Sequence, residues 1–163
     1  MSSLFSAQGR IRRSEWWLFT IGLGILSVVL TFGITGLVIG WDDLASSVEP
    51  GADWRALAIR YGIALLFLWP LMAVSLRRAH DRNGSGWVVV LAWVLNLGGE
   101  IAAFFVTPGS SEELLVFPVY LVSGVLGLFL LITLGFLDGT QGPNRYGPSP
   151  KGAGSRNYQA PTA

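Results

Sequence analysis

The chain contains no cysteine and a single histidine, His80, in 163 residues. Disulfides, thiol chemistry, cysteine-based zinc sites and polyhistidine metal centres are therefore excluded. Charge is scarce as well. Only 13% of residues are Asp, Glu, Lys or Arg, against about 25% in soluble domains. So few charges cannot coat a water-soluble globule of this size. What is present instead is apolar: 52% of the chain is hydrophobic, with a mean hydropathy of +0.54.

The apolar residues fall into four blocks, near 16–39, 56–76, 87–106 and 114–137. The first and last are each 24 residues without a charge, or about 36 Å as helix, enough to cross a hydrocarbon core of about 30 Å at a tilt. A backbone in lipid must satisfy its own hydrogen bonds, so each block reads as a helix. Transmembrane strands would be about half as long and would alternate polar with apolar residues. The expected fold is all-α: a polytopic membrane protein of four transmembrane helices. Residues 1–150 form its single domain, and 151–163, rich in Gly, Ala, Ser and Pro, form a flexible tail. The first block is too long for the apolar core of a signal peptide and reads as a retained span.

Basic residues orient the spans. Arg10, Arg12, Arg13, Arg77, Arg78, Arg82, Arg145, Lys151 and Arg156 fall on one side, and Arg55 and Arg60 on the other. Glu15, Asp81 and Asp138 share the basic side; Asp42, Asp43, Glu49, Asp53, Glu100, Glu112 and Glu113 lie opposite. The near-zero net charge of +1 thus conceals a strong separation between two faces. Both termini are expected in the cytoplasm. Trp16, Trp17, Trp41, Trp54, Trp87 and Tyr120 lie near the expected span ends, where amphipathic rings favour the headgroup layer. Glu49-Pro50-Gly51 marks a turn on the acidic side.

Three polar segments share the basic face. Gly9, Arg10, Arg13, Glu15 and Trp17 fit a G-R-x-x-R-x-E-[FY]-W pattern. Pro70, Arg77, Arg78, His80, Asp81, Arg82, Ser85, Gly86 and Trp87 fit P…R-R-x-H-D-R-x-x-S-G-W. Gly139, Gly142, Asn144, Tyr146, Gly147 and Pro150 fit G-x-x-G-x-N-x-[YF]-G-x-[DN]-P, with Arg145 between Asn144 and Tyr146. Together they resemble the bacterial inner-membrane family known as domain of unknown function 805, over about residues 5–150. Ser149 stands where that pattern has Asp or Asn, and Ala79 where it commonly has Leu. The resemblance implies an inner-membrane protein and leaves its activity open.

The candidate cytoplasmic cap comprises Arg10, Arg13, Glu15, Arg77, Arg78, His80, Asp81, Arg82, Asn144, Arg145 and Tyr146. His80-Asp81 suggests acid–base chemistry, yet adjacent helical residues diverge by about 100° and form no automatic dyad. A tight hairpin is the simpler expectation. Asp81 would pair with Arg77, Arg78 or an N-terminal arginine, Asn83-Gly84 would turn, and Ser85 would cap the next helix. Within the spans, Asn96 and Glu100 share a helical face. Arg60 and Glu100, at similar depth on the second and third helices, are expected to pair and neutralise each other. Gly36/Gly40 and Ser123/Gly127 are small-xxx-small patterns that permit close helix contact.

No catalytic, metal-binding or cofactor-binding set is legible. The expected role is a non-enzymatic accessory, scaffold or assembly subunit of a larger membrane complex. A small oligomeric transporter or channel using Asn96 and Glu100 is the alternative, and binding or processing of anionic lipid headgroups at the cap a second one. Expected partners are the bilayer, a membrane-protein complex or a second copy, and no nucleic acid.

Overall fold

Arg12 opens the first helix: its carbonyl accepts the Trp16 amide at 3.0 Å, and Glu15 bends back so that Oε2 accepts the Arg12 amide at 2.7 Å. That reciprocal arrangement is half of a capping box. In a computed structural model, which describes residues 5–45, 47, 53–104, 106, 110–111 and 113–152, four helices follow one another. They are α1 (Arg13–Ile39), α2 (Trp54–Asp81), α3 (Trp87–Phe104) and α4 (Glu113–Leu130), the last continued by a π-helical segment, Leu131–Phe136. Apart from one Asn144–Gly147 bridge, the described residues hold no strand. The fold is all-helical, as the apolar blocks dictate.

Three of the helical stretches, Arg13–Ile39, Trp54–Asp81 and Leu114–Phe136, are long and apolar enough to cross a membrane. The fourth is shorter: the apolar part of α3 is Trp87–Ala102, and the helix ends at Phe104 rather than continuing to 106. The expected turn at 49–51, the residues 107–109, Glu112, the Glu113 side chain and the tail from 153 onward, including Arg156, lie outside the described residues.

The chain divides into two compact units. One is Leu18–Leu71. Within it α1 ends on Gly40, at φ 107°, whose amide reaches the Gly36 carbonyl at 3.2 Å. Trp41 then folds over Gly36, where a Cβ would lie 2.7 Å from its ring. That accounts for Gly36 through its own chain rather than through a helix–helix contact. Asp53 starts α2 by accepting the Arg55 amide at 2.7 Å, as an N-cap should.

The other unit joins Met1–Trp17 to Met72–Ala163. Ile11, Trp16, Ala73, Val74, Ala79, Val89 and Leu134 are buried in it. Within it α3 and α4 pack side by side, with Tyr120 donating to the Gly99 carbonyl at 3.3 Å. Trp16 departs from the expected interfacial belt: only 5% exposed, it donates to Ser75 Oγ at 3.4 Å, whereas Trp41, Trp54 and Trp87 are exposed.

Candidate functional site: the arginine-rich end

The polar segments expected to form a cap do come together, within the second unit described above. The geometry follows from a backbone problem. A helix leaves its last four carbonyls without intrahelical partners, and two helices, α2 and the α4 extension, end here.

At the end of α2, the Gly84 amide reaches the Ala79 carbonyl and the Asn83 amide the His80 carbonyl, both at 2.9 Å. Asn83 has φ 61°. This is a Schellman cap with asparagine in the left-handed position, and the expected Asn83-Gly84 turn is thereby realised. Gly86 (φ 77°) supplies the carbonyl that accepts the Val89 and Val90 amides. Gly86 therefore holds the N-cap position of α3. Ser85, expected to cap that helix, is exposed one residue too early.

Arg10 closes the structure over this turn. Its Nε donates to Asp81 Oδ1 at 3.0 Å, Nη1 to the Gly142 and Gly147 carbonyls at 2.8 and 3.1 Å, and Nη2 to the Thr140 carbonyl at 2.7 Å and Thr140 Oγ1 at 3.2 Å. All five donors of the guanidinium are thus committed. Asp81 Oδ2 accepts Arg78 Nη1. The side chains of Arg10, Arg78 and Asp81 are almost fully buried. Buried charge is tolerated only when paired and hydrogen-bonded, and here both conditions hold. Gly139 is required because a Cβ there would overlap the Asp81 carboxylate.

At the other helix end, the π-helical segment and Leu137 just after it present four successive carbonyls, and each finds a side chain. Arg78 takes Leu134 (Nε, 2.9 Å) and Leu137, Trp17 takes Gly135 (2.9 Å), and Arg13 takes Phe136 (2.8 Å). Gly135 leaves room for the Trp17 ring, since a Cβ would stand 2.8 Å from it. Cationic donors at a helix C-terminus also complement its dipole.

The remaining expected residues have definite places. Asn144 donates from Nδ2 to the His80 carbonyl and to Thr140 Oγ1, both at 2.9 Å, and accepts the Tyr146 amide. Tyr146 stacks on His80 with ring centroids 3.9 Å apart, and the Arg145 guanidinium lies 4.8 Å from the Tyr146 ring centroid. Arg145 also donates to the Asn83 carbonyl at 3.0 Å, and Arg82 to the Asp138 carbonyl at 3.2 Å. Arg77 is buried at the end of α2. Of the partners expected for Asp81, the structure selects Arg78 and the N-terminal Arg10. Arg60 belongs to the Leu18–Leu71 unit, with its guanidinium 5.7 Å from the Tyr61 ring. Asn96 (exposed) and Glu100 (half-buried) lie on α3.

Sequence reasoning missed Thr140, Trp17 and Ser149 as participants. Thr140 returns its amide and hydroxyl to the Asp81 carbonyl at 2.8 and 2.9 Å. Ser149 accepts the Lys151 amide at 3.3 Å, a turn-forming role that Asp or Asn performs equally. The signal available was a side-chain oxygen two residues before a chain reversal. Arg12, Arg13, Ser14, Asp138 and Lys151 line an open groove of about 320 Å³. The Asp138 carboxyl is held below its ordinary value, first by the hydrogen bond from Lys151 and then by the charges of Lys151 and Arg13. No group of three or more His, Asp or Glu that could hold a metal ion occurs among the described residues.

Comparison with known proteins gives a consistent answer. The family described as "Protein of unknown function (DUF805)" matches residues 4–148. The Escherichia coli K12 protein named "Uncharacterized protein YiiR" is 30% identical over 147 residues, covering 88% of this chain and 85% of its own. "Inner membrane protein YhaH" of the same organism is 30% identical over 146 residues (88% and 86%), and "Inner membrane protein YhaI" 27% identical over 143 (88% and 84%). No solved structure matches.

Proposed function

The chain belongs to the family of unknown function 805, and from that membership and the closed geometry of its arginine-rich end we propose a non-enzymatic accessory, scaffold or assembly subunit of a bacterial inner-membrane complex. The observation that carries this reading is the internal use of the buried charges, Arg10 and Asp81. Arg10 spends its five donors, and Asp81 both carboxylate oxygens, on the protein itself. His80 is stacked on Tyr146. A catalytic constellation needs groups held ready for a substrate; this one is an architectural lock.

In this proposal the chain crosses the inner membrane four times, α3 included, with both termini cytoplasmic. Three long apolar helices and the names of two relatives support the location, and the separation of basic from acidic residues supports the orientation. The expected Arg60–Glu100 pair is tested by charge reversal: if it forms, reversing either residue impairs stability and reversing both restores it.

Because the chain has no cysteine, single replacements give clean labelling. Gln141→Cys is labelled by an impermeant maleimide only after cells are permeabilised, and Asp43→Cys is labelled in intact cells. Partnership is tested by in-cell crosslinking followed by purification in mild detergent. A stoichiometric partner supports the reading, and a chain that runs alone under every crosslinking condition overturns it.

A further inference from the structure

Arg12, Arg13 and Lys151 surround the groove that also exposes Ser14 and Asp138. Backbone carbonyls position the two arginines. Arg12 Nε donates to Pro150 O and Arg13 Nη1 to Phe136 O, each at 2.8 Å. A carbonyl orients a guanidinium without cancelling its charge. Asp138 is the one carboxylate in the lining, 3.3 Å from Lys151 Nζ and 3.9 Å from Arg13 Nη1. Glu15, the nearest acid on α1, is turned back onto the Arg12 amide. Three fixed cations thus face one carboxylate, and both terminal nitrogens of Arg12 and one of Arg13 keep their hydrogens available. The Arg13 and Lys151 side chains are about half exposed, at 48% and 58%.

The chain that leads into Asp138 has a second character. Phe136 is 60% exposed and Leu137 44%. They end the apolar run of α4 just before Asp138. An occupant that satisfies both surfaces carries an anion and an apolar chain in one molecule. Cationic donors with free planar nitrogens suit a phosphate diester, and an apolar shoulder suits acyl carbon.

We propose that this groove binds the phosphate of an anionic glycerophospholipid, with the headgroup between Arg12, Arg13 and Lys151 and the acyl chain beside Phe136 and Leu137. The idea rests on the membrane orientation argued above but not on the accessory role. The lowered titration of Asp138 points the same way, since Lys151 and Arg13 already favour a negative charge there.

The test is native mass spectrometry of the full chain in mild detergent, titrated with phosphatidylglycerol, phosphatidylcholine or inorganic phosphate. Phosphatidylglycerol is expected to bind in preference to phosphatidylcholine. The double variant R13Q/K151Q is expected to weaken it by about thirtyfold, from two juxtamembrane cations. Asp138→Asn is expected to tighten it by roughly threefold, because it removes the one opposing charge. That variant also serves if R13Q/K151Q loses its thermal transition, because a merely structural Asp138 would weaken binding when replaced. An unchanged lipid preference in folded R13Q/K151Q, or weaker binding in Asp138→Asn, overturns the proposal. Inorganic phosphate that displaces the lipid at equal concentration overturns it too, making a soluble anion the occupant. Absence of a protein partner leaves these outcomes untouched, so the two readings fail separately.

Discussion

Arg10 and Arg12 stand two residues apart and have opposite fates. Arg10 is buried, with its charge matched by Asp81 and its remaining hydrogens taken by carbonyls of the segment after α4. Arg12 is exposed, held by one carbonyl, and beside a groove with more positive than negative side chains. Arg78 goes with the first and Arg13 with the second. Burial decides the difference. A buried guanidinium left with open donors costs several kcal/mol, whereas an exposed one lets water complete its shell. The buried set is therefore charge spent on architecture. The exposed set is charge left available for an occupant.

The largest expected effect tests that division directly. Asp81→Ala strands two buried guanidinium groups and should cost about 3–5 kcal/mol. Arg12→Ala, an exposed change, should cost about 1 kcal/mol or less. Thermal unfolding in detergent measures both, and comparable values for the two variants would break the comparison. Next is Gly139→Ala, which drives a methyl into the Asp81 carboxylate and should cost about 1–3 kcal/mol by overpacking. Gly127→Ala is its control: nothing stands within 4 Å of a Cβ there, so a helical alanine should be neutral or slightly stabilising. Smaller again is Asn144→Ala, which removes partners from the His80 carbonyl and Thr140 Oγ1 and should cost about 1–2 kcal/mol. Its proteolytic signature should be confined to 139–152 if the segment is locked only locally.

Much of this was legible in the sequence where one side chain must answer another. The four apolar blocks became four helices, Asn83-Gly84 became the turn, and Asp81 found Arg78 and an N-terminal arginine. The resemblance to the family of unknown function 805, read from three short motifs, was likewise upheld across residues 4–148. The illegible part is what side chains do to carbonyls. Every residue carries a carbonyl, so nothing in Leu134, Gly135, Phe136 and Leu137 announces that Arg78, Trp17 and Arg13 will cap them. The π-helical winding that presents them has no compositional mark either. Trp16 and Trp17 are adjacent and chemically identical, yet one donates its indole N–H to Ser75 Oγ and the other to the Gly135 carbonyl; only the packing separates them. Ser85 failed as a cap because α3 starts from Gly86, where a φ of 77° and the close approach of Leu76 suit glycine.

The smallest expected effect belongs to the exposed set. Asp138 is accessible to water, yet its carboxyl titrates below the ordinary value because Lys151 donates to it and because Lys151 and Arg13 lie near. A carboxylate with a depressed folded-state pKa favours the folded state above its unfolded value. That contribution fades as pH falls through the folded one. The window therefore lies entirely on the acid side of the ordinary carboxylate range, and stability near neutrality should not depend on this group's titration. Lys151→Met should move the titration upward, since it removes both the hydrogen bond and the nearest charge. Arg13→Gln should move it upward by less, having only a more distant charge to remove. Carboxyl-selective NMR in micelles, following Asp138 through an acid titration, reads both shifts. If the two variants move it equally, the groove behaves as a diffuse positive field. If Lys151 dominates, Arg13 retains more of its charge for an occupant, and the thirtyfold loss expected of the double variant should then come mainly from Arg13.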